Sequence, residues 1–116
     1  MSRTVLFIID SDPRLSGRPA EAARIAAGVS VWGKVEVVLY LRTAAVAMLA
    51  QETGELVDEE SFRNYLPILG ESGRPIYVEK GAAEMLKSGQ STLAFQEVSD
   101  GELAEMAAQF NSVIRF

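Results

Sequence analysis

The sequence predicts an α/β fold of three layers, in which a mostly parallel sheet of five strands lies between two layers of helices. Short apolar runs rich in β-branched residues alternate with segments of helical length. This alternation is typical of parallel sheets with right-handed crossovers. The strand-like runs also show little apolar–polar alternation, which indicates strands that are covered on both faces.

Length, composition and net charge limit the class of protein. All 116 residues are predicted to form a single domain, 1–116, because this length is close to the commonest domain size. A composition of 48% hydrophobic and 23% charged residues is that of a folded chain rather than a disordered one. The net charge of −5 argues against nucleic acid as a partner, because affinity for phosphates comes from clustered Lys and Arg.

Membrane association is not expected either. No run approaches the roughly 20 apolar residues that span a bilayer. The N-terminal run MSRTVLFIID has no long apolar region and no small-residue cleavage site, so we interpret it as a strand and not as a signal peptide. A cytoplasmic location is therefore expected.

Five runs have the composition of strands. They are residues 4–9 (TVLFII), 34–41 (KVEVVLYL), 75–78 (PIYV), 94–98 (AFQEV) and 112–116 (SVIRF). The first is a continuous apolar run and the second is β-branched and aromatic, as expected of buried strands. The run 94–98 is a candidate for the remaining strand of the sheet.

The first helix is predicted over residues 20–31 (AEAARIAAGVSV). Ser16 is placed as its N-cap. Pro19 falls in the first turn, where the missing N–H of proline has no intrahelical partner to lose.

Two further helical segments follow the second strand. Thr43 is predicted to cap the apolar run AAVAMLAQ, and Gly54 to end it. Asp58 is then predicted to cap a second helix, which Pro67 is expected to kink or shorten. The apolar stripe of that helix is predicted to consist of Phe62, Leu66 and Leu69.

The last helix has the clearest start signal. Ser99 and Glu102 fit a capping box, in which each side chain accepts a hydrogen bond from the backbone N–H of the other residue. Apolar residues follow at helical spacing, namely Leu103, Met106, Ala107 and Phe110.

Histidine and cysteine are absent from the sequence. Their absence excludes disulfides, thiolate nucleophiles and thiolate metal sites, and with them the usual base at neutral pH. Any chemistry would have to use carboxylates, Lys, Tyr, Ser or Thr. We assign no catalytic residue, and we expect neither a metal nor a cofactor.

The first polar loop, DSDPRLSGRP (residues 10–19), is one candidate ligand site. The helix start after it favours an anion, and Arg14 or Arg18 adds positive charge. The loop lacks the glycines and lysine of the known nucleotide-binding motifs. The alternative is structural: an Asx-type turn, a proline corner and solvated arginines. The candidate ligand residues are Asp10, Asp12, Arg14, Ser16, Gly17 and Arg18.

Asp10 and Asp12 also admit a Mg²⁺ interpretation, since hard oxygen ligands suit that ion. This resembles the acidic residues of phospho-receiver domains. Such a domain needs a third carboxylate after another central strand, and the sequence offers only weak candidates there. The pair is therefore kept as an alternative, and no metal site is assigned.

The second candidate site is Glu79, Lys80 and Gly81, directly after the third strand. Ligands gather at the carboxyl ends of strands in open α/β sheets. A desolvated lysine or a carboxyl of raised pKa at this place could act in catalysis. The structural alternative is that both side chains are solvated or paired with neighbours such as Glu84 or Arg74. The hydroxyls of the three tyrosines, at 40, 65 and 77, remain candidates for a pocket or a subunit interface.

The order of elements is similar to that of a known family. A TVLFII strand, a loop with Asp-Pro, an EAARIAAGVSVWG helix and a VEVVLYL strand are followed by IYVEKGAAEMLKSG, VSDGELAEM and SVIRF. This pattern resembles the DsrE/DsrF-like family of small sulfur-relay proteins, which includes subunits of the tRNA-thiolation relay. The resemblance covers nearly the whole chain and rests on pattern and spacing.

The resemblance implies a five-stranded parallel sheet and assembly into homo- or hetero-oligomers. It also implies a cysteine after the third strand that accepts sulfur as a persulfide. In this sequence Glu79, Lys80 and Gly81 occupy that place, and none of them can hold a sulfane sulfur. The resulting hypothesis is a non-catalytic scaffold or subunit, either a homo-oligomer (dimer, trimer or hexamer) or a hetero-oligomer with a related subunit.

Two rival functions stay open. One is a small-molecule binding module that holds an anionic ligand or nucleotide at the loop after the first strand. The other is an enzyme that uses Lys80 or the Asp10/Asp12 pair, for a reaction that the sequence does not name. We favour the absence of enzymatic activity.

Overall fold

The computed structural model describes residues 3–50, 56–71, 76–82 and 94–116. Its elements are β1 (Arg3–Ile9), α1 (Arg18–Trp32), β2 (Val35–Leu41), a 3₁₀ helix (Thr43–Leu49), α2 (Glu59–Glu71), β3 (Ile76–Glu79), β4 (Phe95–Val98), α3 (Asp100–Ala107) and β5 (Ser112–Arg115). The strands form one sheet of order β4-β3-β2-β1-β5, in which every pairing is parallel. The predicted α/β class and all five predicted strands are confirmed. No helix within these ranges is long and apolar enough to cross a bilayer.

The pleat of the sheet divides the buried side chains between two cores. In β1, Phe7 and Ile9 belong to the larger core, whereas Leu6 and Ile8 belong to the smaller one on the opposite face. The larger core is completed by α1, the 3₁₀ helix and α2, and the smaller core by Leu103 of α3. Helices therefore cover both faces of the sheet, as the three-layer prediction requires.

Small side chains bring α1 close to the sheet. The N-cap is Gly17 and not the predicted Ser16. The Ser16 hydroxyl instead accepts a hydrogen bond from the Arg18 N–H at 3.1 Å, so it serves the turn before the helix. Pro19 lies in the first turn as predicted, and Gly33 ends the helix with a left-handed φ of 79°. The buried alanines of α1 are Ala20, Ala22, Ala23, Ala26 and Ala27.

The segment after β2 forms a 3₁₀ helix, and the prediction of Thr43 as its cap is wrong. Arg42 occupies the N-cap position without a side-chain cap bond. Thr43 is the first residue inside the helix and has a φ of 49°, because its N–H is directed to a partner on β3 described below. The predicted stop at Gly54 lies outside the described residues.

In α2 the predicted apolar stripe is confirmed. Asp58 directly precedes the helix, and its backbone carbonyl accepts a hydrogen bond from the Ser61 N–H at 2.9 Å. Pro67 lies inside the helix, which continues to Glu71, so the expected shortening does not occur. The proline lies on the exposed side, where water can solvate the carbonyl that loses its partner. The buried residues are Phe62, Leu66 and Leu69.

The capping box of α3 is confirmed. The Glu102 N–H donates to the Ser99 hydroxyl at 3.2 Å, and the Ser99 N–H donates to the Glu102 carboxylate at 3.1 Å. Leu103 is buried in the smaller core. The remaining predicted contacts of this segment are half-buried against the same core, namely Met106, Ala107 and Phe110.

Trp32, the last residue of α1, does not lie in the core. Its side chain is 64% exposed, and that of Val31 is 70% exposed. The Lys34 ammonium lies 5.6 Å from the centroid of the Trp32 ring, which shields one ring face by a cation–π contact.

The two edges of the sheet differ in character. Within the described ranges β4 pairs with β3, and β5 pairs with β1, each on one side alone. The middle of β4 consists of the exposed Gln96 and Glu97. All four residues of β5 are exposed, and Val113 and Ile114 are 44% and 42% exposed. One edge is therefore polar and the other apolar.

Candidate functional site

The carboxyl ends of the strands meet at one edge of the sheet because every pairing is parallel. Glu79 ends β3 at this edge, as the sequence predicted. The strand order reverses at β1, which has β2 on one side and β5 on the other. Such a switch point is the usual place of a ligand crevice in open α/β sheets.

At this switch point, residues at the carboxyl ends of β1 and β5 contact one another. The Arg115 guanidinium donates to the Asp10 carboxylate at 2.8 Å. The Phe116 carbonyl accepts from the Asp10 N–H at 3.1 Å and from the Ser11 hydroxyl at 3.2 Å. Asp10 is thus engaged with β5 rather than with Asp12.

The Phe116 ring adds to these contacts. It stacks on Phe7 with ring centroids 5.6 Å apart. The Arg18 guanidinium lies 5.9 Å from the centroid of the Phe116 ring, and its Nη2 lies 3.5 Å from the Arg115 carbonyl oxygen. Part of the cationic surface of Arg18 is therefore directed to β5 and not to the open side of the loop.

Asp12 forms the Asx-type turn that was the structural alternative. Its carboxylate accepts from the Arg14 backbone N–H at 2.9 Å and from two nitrogens of the Arg14 side chain at 3.1 and 3.0 Å. These bonds, the side-chain ones first, hold the pKa of Asp12 below its usual value. Pro13 is buried, and its carbonyl accepts from the Val57 N–H at 2.8 Å.

Asp10 and Asp12 do not converge on a common point. Each carboxylate is paired with a different arginine, Arg115 and Arg14 respectively. Across the ranges that the structure describes, no group of three or more metal-ligating side chains is found. The geometry gives no support to the Mg²⁺ alternative.

Ser16, Gly17 and Arg18 line an open groove of about 470 Å³ between the starts of α1 and α2. Arg24 and Asp58 complete its charged lining together with Glu21. The Asp58 carboxylate lies close to Gly17, since a Cβ there would meet its Oδ2 at 3.3 Å. The groove thus presents charges of both signs.

Glu79 belongs to a separate cluster at the ends of β2, β3 and β4. Its carboxylate accepts from Arg42 Nε at 3.3 Å and from the Thr43 N–H at 3.2 Å. Arg42 also contacts the Asp100 carboxylate at 3.4 Å. Arg74 and Glu84, the partners that the structural alternative suggested, lie outside the described residues. The hydrogen bond to Glu79 is the main reason why the pKa of Arg42 is raised.

Lys80 and Gly81 have backbone roles at this corner. The Lys80 N–H donates to the Val98 carbonyl at 3.0 Å, which extends the β3–β4 ladder. The Lys80 side chain is exposed, so the desolvation that activates a lysine nucleophile is absent. Gly81 has a φ of 89°, a conformation that favours glycine.

Tyr40 lies beneath the cluster and is fully buried. Its hydroxyl has no hydrogen-bond partner among the described residues. Burial raises the pKa of the phenol, the Glu79 carboxylate raises it further, and Arg42 opposes both. The hydroxyl is enclosed by the chain and leaves no opening for a ligand.

The two predicted groups of site residues therefore contact different partners. The loop residues contact β5, α2 and one another, whereas Glu79 contacts Arg42 and Thr43 at the end of β2. Arg42 was missed as a site residue. Its position directly after a predicted strand was visible, but its pairing with Glu79 depends on β2 and β3 being neighbours.

Comparison with known proteins establishes the fold. No family model matches the chain, and no curated protein matches it. Among solved structures, the E. coli ychN protein has a TM-score of 0.76 and 21% identity, over 100% of both chains. The chain therefore has a DsrE-like fold over its whole length.

Proposed function

We propose that this chain is a non-catalytic subunit of a sulfur-relay-type assembly, located in the cytoplasm, which acts by associating with copies of itself or with a related subunit. One observation carries the proposal. The corner after β3, where the resemblance places a sulfur-accepting cysteine, holds Glu79, Lys80 and Gly81, and the whole sequence contains no cysteine.

The chemistry of that corner argues for a structural role. A persulfide forms on a thiolate, and neither a carboxylate nor an ammonium can replace it. Glu79 instead joins the ends of β2 and β3 through Arg42 and the Thr43 N–H. Arg42 extends the same link to Asp100 at the start of α3. The position that would carry sulfur therefore stabilises the edge of the sheet.

Exposed apolar side chains support an associating role. Trp32, Val113 and Ile114 are exposed to between 42% and 64%, and large aromatic side chains are enriched at the centres of protein interfaces. Exposed apolar sheet edges pair readily with other chains.

The direct test is the molar mass of the purified protein, measured by light scattering after size exclusion at tens of micromolar. We expect a single species whose mass is two or more times the monomer mass of 12.6 kDa. A mass of 12.6 kDa, both alone and when co-expressed with related subunits, would refute the proposal.

A second function is favoured by the groove at the starts of α1 and α2. Arg18 and Arg24 line it together with the N-terminus of α1, and a helix N-terminus attracts anions. In this alternative, inorganic phosphate or ADP raises the melting temperature, and Arg24→Ala removes the increase. Glu105→Ala on the exposed side of α3 is the matched control. No shift with either compound would refute the alternative.

A further inference from the structure

Strand β5 forms one edge of the sheet. Strand β5 forms its parallel ladder with β1 on one side, and within the described residues nothing pairs with its other side. Residues at such an edge leave unpaired backbone donors and acceptors, which natural proteins usually protect with charged or polar side chains. Glu97 and Gln96 give β4 this protection, whereas the middle of β5 is Val113 and Ile114.

The ladder fixes which backbone groups of β5 point outward. The Phe116 N–H donates to the Ile8 carbonyl, and its carbonyl accepts from the Asp10 N–H, so both groups of Phe116 point towards β1. In a strand these directions alternate from one residue to the next. Ile114 therefore points its backbone groups towards β1, and Val113 and Arg115 point theirs outward.

This alternation selects one antiparallel register for two copies. Outward groups must face outward groups, so Val113 lies opposite Arg115 of the second copy, and each such pair exchanges two hydrogen bonds. The two-fold axis then passes through Ile114. A register centred on Val113 keeps fewer of these bonds, and one centred on Arg115 brings two like charges together.

The side chains agree with this register. The two copies of Ile114 form the central non-hydrogen-bonded pair, in which the Cα atoms are only about 4.5 Å apart, so apolar contact is closest where β5 is apolar. The Arg115 charge faces a valine of the other copy, and it is already paired with Asp10 at 2.8 Å. No like charges within β5 are brought face to face.

We propose that β5 pairs antiparallel with β5 of a second copy across a two-fold axis at Ile114, which joins the two sheets into one of ten strands. The inference rests on the proposed function, because it names the surface through which the chain associates with itself. It specifies one occupant and one register, and both can be tested.

The test uses the absence of cysteine from the native sequence. The Ile114→Cys variant carries a single thiol at the two-fold axis, and the expected Cα separation lies within the range that a disulfide spans. The Gln96→Cys variant carries one at the other edge as a matched control. Both are oxidised at micromolar concentration and run on a non-reducing gel. Ile114→Cys is expected to become mostly a covalent dimer, and Gln96→Cys to remain mostly monomeric on the gel.

A backbone variant provides a second readout. Val113→Pro removes an N–H that points outward while leaving the ladder to β1 intact, since proline is tolerated at the free side of an edge strand. It is expected to weaken self-association at least tenfold with an unchanged circular dichroism spectrum. If it does not fold, the cysteine pair still decides the question.

Each remaining outcome decides against the inference. If the native chain forms an oligomer but Ile114→Cys cross-links no better than Gln96→Cys, the β5 register is overturned while the proposed function stands. If the native chain is monomeric and neither variant cross-links, the β5 pairing is overturned, and the proposed function is overturned with it only if the chain also stays monomeric when co-expressed with related subunits.

Discussion

The two edges of the sheet are held in place by different interactions. At the β4 edge, polar contacts dominate: the Arg42 cluster ties β2, β3 and α3 together, and Ser99 starts α3 with a capping box. At the β5 edge, an aromatic stack between Phe7 and Phe116 adds to the ion pair of Arg115 with Asp10 at the carboxyl end. The exposed side chains in the middle of the two edge strands also differ: they are polar on β4 and apolar on β5.

At each edge, the contacts that hold the strand in place differ in kind from the side chains that the strand exposes to other chains. The β4 edge uses its charged groups internally and presents polar side chains to water, which discourages pairing with other chains. The β5 edge is anchored by the buried ring of Phe7 and the half-buried ring of Phe116, and the side chains of Val113 and Ile114 are exposed. If the chain associates as proposed, an apolar β5 edge and a polar β4 edge direct that association to β5.

The largest effect is expected from Phe7→Ala. Phe7 is 1% exposed and supports Phe116, so its truncation leaves a cavity beneath β5. We expect a loss of about 3–5 kcal/mol in the free energy of unfolding, measured by urea denaturation. Phe95→Ala, at the half-buried start of β4, is the control. An equal or larger loss for Phe95→Ala would contradict the aromatic support of the β5 side.

A smaller effect is expected from Glu79→Gln. The change removes the charge that Arg42 contacts while keeping the size of the side chain. Hydrogen bonds to charged groups contribute about 1.5–3 kcal/mol, but solvent reaches both side chains and reduces this to about 1 kcal/mol. Urea denaturation in low and high salt measures it, and Glu97→Gln on the outer side of β4 is the control. A stability unchanged by Glu79→Gln would show that the cluster does not support this edge.

Secondary structure was the part of the fold most accessible to prediction. All five strands and the capping box at Ser99 follow from local patterns, because β-branched runs and cap residues act within a few positions. Ser16 and Thr43 were misplaced as caps, since tight turns and long-range partners took their hydrogen-bonding groups. Pro67 was expected to kink or shorten its helix; the helix is not shortened, since it continues to Glu71, where the burial of the neighbouring apolar stripe supports it.

The candidate site was less predictable than the fold. Its location at the carboxyl edge follows from parallel strands, and Glu79 was placed there correctly. The pairing of Glu79 with Arg42 depends on strand order, which no local pattern encodes. The contacts of Asp10 and Arg18 with the end of β5 likewise join residues about a hundred positions apart, so the sequence alone could not show them.

Acid titration tests the capping box at the start of α3, on the β4 side of the sheet. Hydrogen bonds from Ser99 hold the pKa of Glu102 below its usual value. A carboxyl whose pKa is lowered in the folded state stabilises the fold at pH values above its pKa in the unfolded chain, which is about 4.3. This stabilisation is lost as the pH falls through the pKa of the folded state. Glu102→Gln should therefore lower the melting temperature at pH 7 and have no effect near pH 2. Glu105→Gln, on the same helix, is the control, and an equal loss of melting temperature in both variants at pH 7 would contradict the capping role.

The smallest effect is expected from Asp10→Asn at the β5 side. The Asp10–Arg115 pair is largely exposed, and we expect it to contribute about 0.2–0.5 kcal/mol, the lower part of the range for exposed pairs. The melting temperature should fall slightly at low salt and remain unchanged at high salt. A loss of stability as large as that of Glu79→Gln would mean that ion pairs support both edges equally, which would contradict the difference between the edges.

Amide hydrogen exchange of the native protein tests the difference between the edges most directly. Strand β4 keeps Val98 bonded to β3, so by alternation the Glu97 N–H points outward, as the Val113 N–H does at the other edge. We predict slow exchange at Val113 and fast exchange at Glu97 at high protein concentration, with the protection of Val113 lost on dilution. Equally fast exchange at both amides, at every concentration, would contradict the account.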